Sequence, residues 1–223
     1  MRWDIVLFDL DGTLFDSMRE HAEIFAALLE GRVSHDEAIE GYMESAGQPV
    51  VHQFRQVAER NPVPDEELRR LVAQFFDQIA KSTPRLFRDV KASVKALSAM
   101  GCILGVSTNV RTEVVESRLR RVGIRTYFDF VLGSDPRNDA TAKGIGHFTT
   151  VMRALGLDRE TFGRRAVFVG DAEHDMLLAR QFGLEAVGRI HSEDSEMRKR
   201  LMQAGAACVV DDLRQLVTLV SKR

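Results

Sequence analysis

Two aspartates one residue apart, Asp9 and Asp11, close the apolar run "WDIVLF" and head the stretch "DLDGT" (9–13). Side chains at i and i+2 of an extended chain leave the same face. The pair is therefore expected together at the carboxyl end of a strand, where open α/β sheets bind their ligands. Adjacent carboxylates raise each other's proton affinity unless a cation neutralises them. A hard divalent ion with oxygen ligands does that, and Mg2+ is the default. Gly12 suits a sharp turn beside a ligand. The plainer reading of the same five residues is a solvated turn punctuated by Asp11-Gly12.

Three further stretches carry compatible groups. "AVFVGDAEHD" puts Asp171 at the end of another apolar run, with Asp175 four residues on. The two could complete a magnesium site, one ligand direct and one through water, or serve only to cap the helix that follows. "ILGVSTN" ends a run with Ser107, Thr108 and Asn109, whose hydroxyls and backbone N–H groups could hold phosphate oxygens. Alone, such a triplet is more often a helix cap. Lys143 in "DATAKGIGHF" follows a polar loop and precedes a helical pattern; a lone lysine is usually a solvated charge. Arg137 and Lys95 stand at less suitable places. All four pieces follow a strand or open a helix, and they do so in chain order.

The elements that must position these groups are legible as alternating patterns. Strands are expected at 4–8, 102–107, 128–133, 166–170, 185–190 and 207–211, several of them apolar on both faces as in a covered parallel sheet. Helical periodicity occupies 89–100, 111–122, 145–155, 173–182, 193–204 and 212–221. This alternation predicts a doubly wound, Rossmann-like α/β domain. From Ser17 to Lys81 the pattern is helical only, broken at Gly31, Gly47-Gln48-Pro49 and "NPVP" (61–64). We therefore expect an α/β core over 1–16 and 83–223, with an α-helical cap inserted at 17–82.

The whole chain bounds the function. It has 223 residues and a net charge of −2, so no basic footprint argues for nucleic acid. No apolar run is long enough to span a membrane. No cationic stretch precedes an apolar one at the N-terminus, so no signal peptide is expected. Cys102 and Cys208 lack metal-ligand spacing and read as reduced core residues of a cytoplasmic protein. His35, His52, His147 and His191 have no metal-like spacing either, and His174 reads as an exposed residue at a helix start.

With "DLDGT", Thr108-Asn109, Lys143 and "GDAEHD" (170–175) in this order, the chain resembles the haloacid dehalogenase-like hydrolases over nearly its whole length. The nearest subgroup is the phosphoglycolate phosphatase and β-phosphoglucomutase type with a helical cap. One departure is Gly144, which stands where a proline often follows the lysine. The resemblance implies an Mg2+-dependent phosphatase acting on a small phosphorylated metabolite. It implies Asp9 as nucleophile and Asp11 as general acid and base, with Thr108 and Lys143 holding the phosphoryl oxygens. Gly12, Thr13 and Asn109 would line the substrate. The metal would take the carboxylates of Asp9 and Asp171 and the carbonyl oxygen of Asp11, with Asp175 orienting a bound water.

Asp11 favours phosphoester over carbon–halogen chemistry, since dehalogenating relatives lack an acid there. Phosphonate-cleaving relatives use a cap lysine, and no lysine precedes Lys81. A sugar-phosphate mutase stays open through His21, whose plainer reading is a polar residue on the first cap helix. A catalytically silent phosphate-binding protein is a further alternative. A signalling receiver domain is disfavoured, because it would be shorter and uninterrupted. Substrate choice is expected in the cap, at the turn "MESAGQP" (43–49), with Tyr42 and Arg55 as lesser candidates. Substrate identity and oligomeric state are not written in the chain.

Overall fold

The structure, a computed structural model, describes residues 2–82, 84–135, 141, 143–191 and 194–221. Thr83, where the second core segment is expected to begin, Glu193 at an expected helix start, and Arg137 lie outside these residues.

The run that ends in the two aspartates forms β1 (Ile5–Phe8), every residue of which is buried. It has no polar face because both of its faces are covered. Ile5 and Leu7 pack into one apolar cluster with Phe148, Phe162, Phe168 and Phe182, while Val6 and Phe8 leave the opposite face. The other strands are β4 (Ile103–Ser107), β5 (Phe130–Leu132), β6 (Ala166–Gly170), β7 (Glu185–Arg189) and β8 (Cys208–Val210). They align in the order β5-β4-β1-β6-β7-β8, parallel throughout. β1 lies at the centre. The chain builds outward from it to β4 and β5, then returns to its other edge with β6, so the strand order reverses beside β1. Phe8 aligns with Val106 of β4 and Val169 of β6, and Asp9 therefore emerges between the ends of both.

The sheet is wrapped by α5 (Val90–Ala99), α6 (Thr112–Arg121), α7 (Ile145–Ala154), α8 (Arg159–Arg165), α9 (Glu173–Phe182), α10 (Ser195–Ala204) and α11 (Leu213–Ser221). The strand and helix expectations hold to within a residue or two, save for α8. "RETFGRR" offers one apolar anchor, buried Phe162, and too few residues for a periodic signal. Its start is nonetheless defined chemically, since the Asp158 carboxylate accepts the Thr161 N–H at 2.7 Å. Cys102 and Cys208 are free thiols, and burial raises the pKa of both.

The backbone divides into two compact units, Met1–Phe15 with Leu86–Arg223, and Asp16–Arg85. The chain crosses between them at β2 (Phe15–Asp16) and β3 (Arg85–Leu86), which pair with each other. The second unit is all-helical: α1 (Met18–Leu28), α2 (His35–Glu44), α3 (Val50–Val57) and α4 (Asp65–Lys81). Its interior is aromatic. Phe25 stacks on Phe54 at 4.4 Å, and Phe75 meets Phe54 edge-on at 6.3 Å. His21, read as a polar residue on the first cap helix, does lie on α1, where it is buried and meets Phe75 edge-on at 6.0 Å. Tyr42 is buried in the same cluster, 5.1 Å from Phe25. Arg55 is exposed and paired with Asp65. The 43–49 turn is tied down by Gln53, which donates to the Ser45 carbonyl at 2.9 Å. Among the described residues no helix is long and apolar enough to cross a membrane.

Candidate active site

Beyond the last residue of β1 the Asp9 N–H donates to the Val169 carbonyl at 2.8 Å, which locks the backbone to β6. Asp9 is 5% exposed. A carboxylate there needs a partner, and Lys143 supplies one from the loop before α7. Its ammonium lies 2.8 Å from Asp9 Oδ1 and 2.6 Å from Asp175 Oδ1. The sequence offered a solvated charge as the plainer reading of Lys143; the structure buries it. Arg137 is outside the described residues, and Lys95 is exposed on α5.

Asp171 follows β6 and accepts the Thr13 hydroxyl at 3.0 Å. Thr13, expected to line the substrate, is fully buried and buttresses this carboxylate instead. Asp175 is buried on the first turn of α9 and accepts the Ala172 N–H at 3.2 Å. The capping role and the site role are therefore combined in one side chain. Gly12 has φ +81°, and a Cβ there would lie 2.1 Å from Asp171 Oδ2. Only glycine permits both the turn and the approach of that carboxylate.

Carboxylate oxygens of Asp9, Asp171 and Asp175 all lie within 4.8 Å of one another. Three acids thus meet one ammonium. Burial pushes the Asp9 pKa well above the ordinary range; Lys143 pulls it back, while Asp175 and Asp171 push it further up. Desolvation and Asp175 push Asp171 up to about 7, against the opposing pull of Lys143 and the Thr13 hydroxyl. Burial disfavours the Lys143 cation, yet Asp175 and Asp9 outweigh it and hold its pKa above the ordinary value. Such a cluster lacks positive charge, and hard oxygen donors at this separation fit a divalent ion such as Mg2+.

Asp9 is crowded by Asp171 and Asp175. The Asp11 carboxylate takes a hydrogen bond from the Arg118 guanidinium at 3.2 Å. Arg118 is a buried residue of α6 in "ESRLRR", where nothing in the sequence separates it from its exposed neighbours.

On the other flank, Thr108 is buried beyond β4, and its hydroxyl accepts the Val110 N–H at 3.3 Å. That leaves the hydroxyl proton for another acceptor. Asn109 beside it is half-buried. Two histidines join the site unannounced by any spacing. His191 donates to the Gly12 carbonyl and stacks on Phe87 at 3.6 Å. His147 is buried on α7 between Ser107 and Thr141. His174 is half-buried, not exposed.

Comparisons with known proteins bear on the family and the fold. The sequence model of the family described as haloacid dehalogenase-like hydrolase matches residues 6–188. A "Probable phosphatase IndB" of Dickeya dadantii is 30% identical, covering 96% of this chain and 91% of its own. A phosphoglycolate phosphatase of Yersinia pestis is 29% identical, over 82% of this chain and 79% of its own. Among solved structures, a "predicted phosphatase" from Clostridium acetobutylicum superposes with a TM-score of 0.81 at 22% identity, covering 99% of both chains.

Proposed function

The chain belongs to the haloacid dehalogenase-like hydrolases, and from that premise we propose that it is an Mg2+-dependent phosphatase of a small phosphate monoester. The reaction runs through an aspartyl-phosphate on Asp9. The observation that carries this reading is the buried Asp9 carboxylate, in contact with Lys143 at 2.8 Å and grouped with Asp171 at the end of the central strand.

In the first step a carboxylate oxygen of Asp9 attacks phosphorus, and the bond to the ester oxygen breaks. Asp11 gives that departing oxygen its proton. In the second step water attacks the phosphoenzyme, Asp11 takes the proton, and the Asp9–phosphorus linkage breaks to release phosphate. Lys143 neutralises Asp9 before reaction and the phosphoryl oxygens during it, and the Thr108 hydroxyl donates to the same oxygens. Asp9, Asp171 and Asp175 would hold Mg2+, which supplies electrostatic stabilisation of the transferring phosphoryl group. Thr13 and Gly12 let Asp171 approach that position, and Asn109 borders the phosphoryl site. The helical unit, at its 43–49 turn, is assigned the choice of substrate.

Initial rates on a broad panel of phosphate monoesters, with Mg2+ and with chelator, test the reading. The relatives named as phosphoglycolate phosphatases put phosphoglycolate first on that panel. Turnover of none, or equal turnover in chelator, would overturn it.

A further inference from the structure

We propose that His147 is a positioning residue for Lys143, holding the loop that carries the lysine against the end of β4. This rests on the phosphatase reading only for its kinetic readout.

The geometry is a closed relay. His147 is 3% exposed on the first turn of α7. Its Nε2–H donates to the Thr141 carbonyl at 2.7 Å, two residues before Lys143. A carbonyl can only accept, so in the neutral ring Nδ1 is the acceptor. Ser107, the last residue of β4, donates its hydroxyl to that Nδ1 at 2.9 Å. The same Ser107 oxygen accepts the Gly144 N–H at 3.4 Å, on the other side of Lys143. The loop is thus pinned to the strand on both flanks of the lysine. Burial pushes the imidazole pKa down to about 4, so the ring stays neutral and the relay keeps one direction near neutral pH.

Gly144 shows why such a device is needed. Its φ is +93°, and a Cβ would stand 2.8 Å from Leu178. Proline, with φ fixed near −65°, is excluded and could not donate to Ser107. The residue that gives the loop its turn is also the most flexible one, so rigidity must come from elsewhere. Lys143 must stay within hydrogen-bond reach of Asp9 and Asp175. A displacement of about 1 Å at a positioned group costs about a hundredfold in rate.

The test has two arms. In metal-free protein, the Lys143 ammonium, held by two carboxylates, should give a protected Nζ–H signal in 15N NMR, identified by its loss in Lys143→Met. His147→Phe, which fills the volume but breaks the relay, should abolish it, and His147→Gln should restore part of it. An unchanged signal in His147→Phe overturns the proposal. If that variant does not fold, Ser107→Ala breaks the relay from the strand side and is read the same way. The second arm is a double-mutant cycle on turnover of an aryl phosphate with Mg2+. His147→Phe should lower kcat/KM about tenfold to a hundredfold, yet add less than twofold to the loss in Lys143→Met. Full additivity would make His147 a merely structural residue and overturn the proposal. A wild type that shows the protected signal but hydrolyses no ester sinks the phosphatase reading and leaves the positioning role standing.

Discussion

The Arg118 guanidinium donates to the Asp11 carboxylate at 3.2 Å, so each acid of the opening stretch has its own buried cation, Lys143 for Asp9 and Arg118 for Asp11. The pair follows from topology. α6, which follows β4 in the chain, brings Arg118 to Asp11, while Lys143 reaches Asp9 from the loop before α7. Two like residues, close together in the sequence, thereby acquire different partners.

This contact predicts how Arg118→Met behaves. If Arg118 holds Asp11 in place, hydrolysis of alkyl phosphates, whose leaving group needs a proton, should fall tenfold or more. An aryl phosphate, whose aryloxide leaves without a proton, should still phosphorylate Asp9 at nearly the wild-type rate. Rapid-quench rates of phosphoenzyme formation from such a pair of esters measure it, because the second step needs Asp11 as base whichever ester is used. Equal losses on both would mean that Arg118 serves the fold alone.

The two aspartates should separate in rapid-quench experiments. Asp9→Asn removes the nucleophile and should give no acid-stable, base-labile phosphoenzyme. Asp11→Asn keeps the nucleophile, so a labelled aryl phosphate should produce a stoichiometric burst followed by turnover slowed ~10²–10⁴-fold. A burst from Asp9→Asn and none from Asp11→Asn would reverse the roles.

Metal binding should register as stability. Ligands that bind only the folded state raise Tm by mass action, and the acidic trio has carboxylates to relieve. Mg2+ should therefore raise the Tm of the wild type. In Asp171→Asn the increment should shrink or vanish. Ca2+ should also bind, yet inhibit turnover, since its looser coordination misplaces the Asp9 carboxylate. A Tm indifferent to Mg2+ across the millimolar range counts against the assigned ligands.

His147 should make the fold sensitive to acid. Its folded pKa of about 4 lies below the ordinary value of 6.5. Between those values the unfolded chain binds a proton that the folded protein does not, so stability falls as pH drops through that window. The slope is ~1.4 kcal/mol per pH unit. Relative to His147→Phe, which cannot titrate, the wild type should lose roughly 2–3 kcal/mol between pH 7 and pH 4.5. Denaturant midpoints of both proteins at the two pH values decide it; a constant difference would mean that the imidazole titrates normally.

Much of the frame was legible from local chemistry. The strand runs read correctly because parallel strands covered on both faces must be apolar throughout. The carboxyl ends of β1, β4 and β6 could be named as the candidate site because several polar groups follow such runs in chain order, where open α/β sheets bind ligands. Asp9 and Asp171 announced themselves in this way; Lys143, between a polar loop and a helix, did not. What only the tertiary structure decided is which charges meet. Asp171 and Asp175, carried in by β6 and α9, add to the charge around Asp9, and neither is near it in the sequence. Arg118, His147 and His191 looked like ordinary helix or loop residues. Each acts through a partner far along the chain: Arg118 through Asp11, His147 through Ser107, His191 through Gly12. Electrostatics and hydrogen bonding depend on distance in space and on burial. Periodicity reports which face of an element is covered, and it carries no information about which polar group the fold will set opposite another.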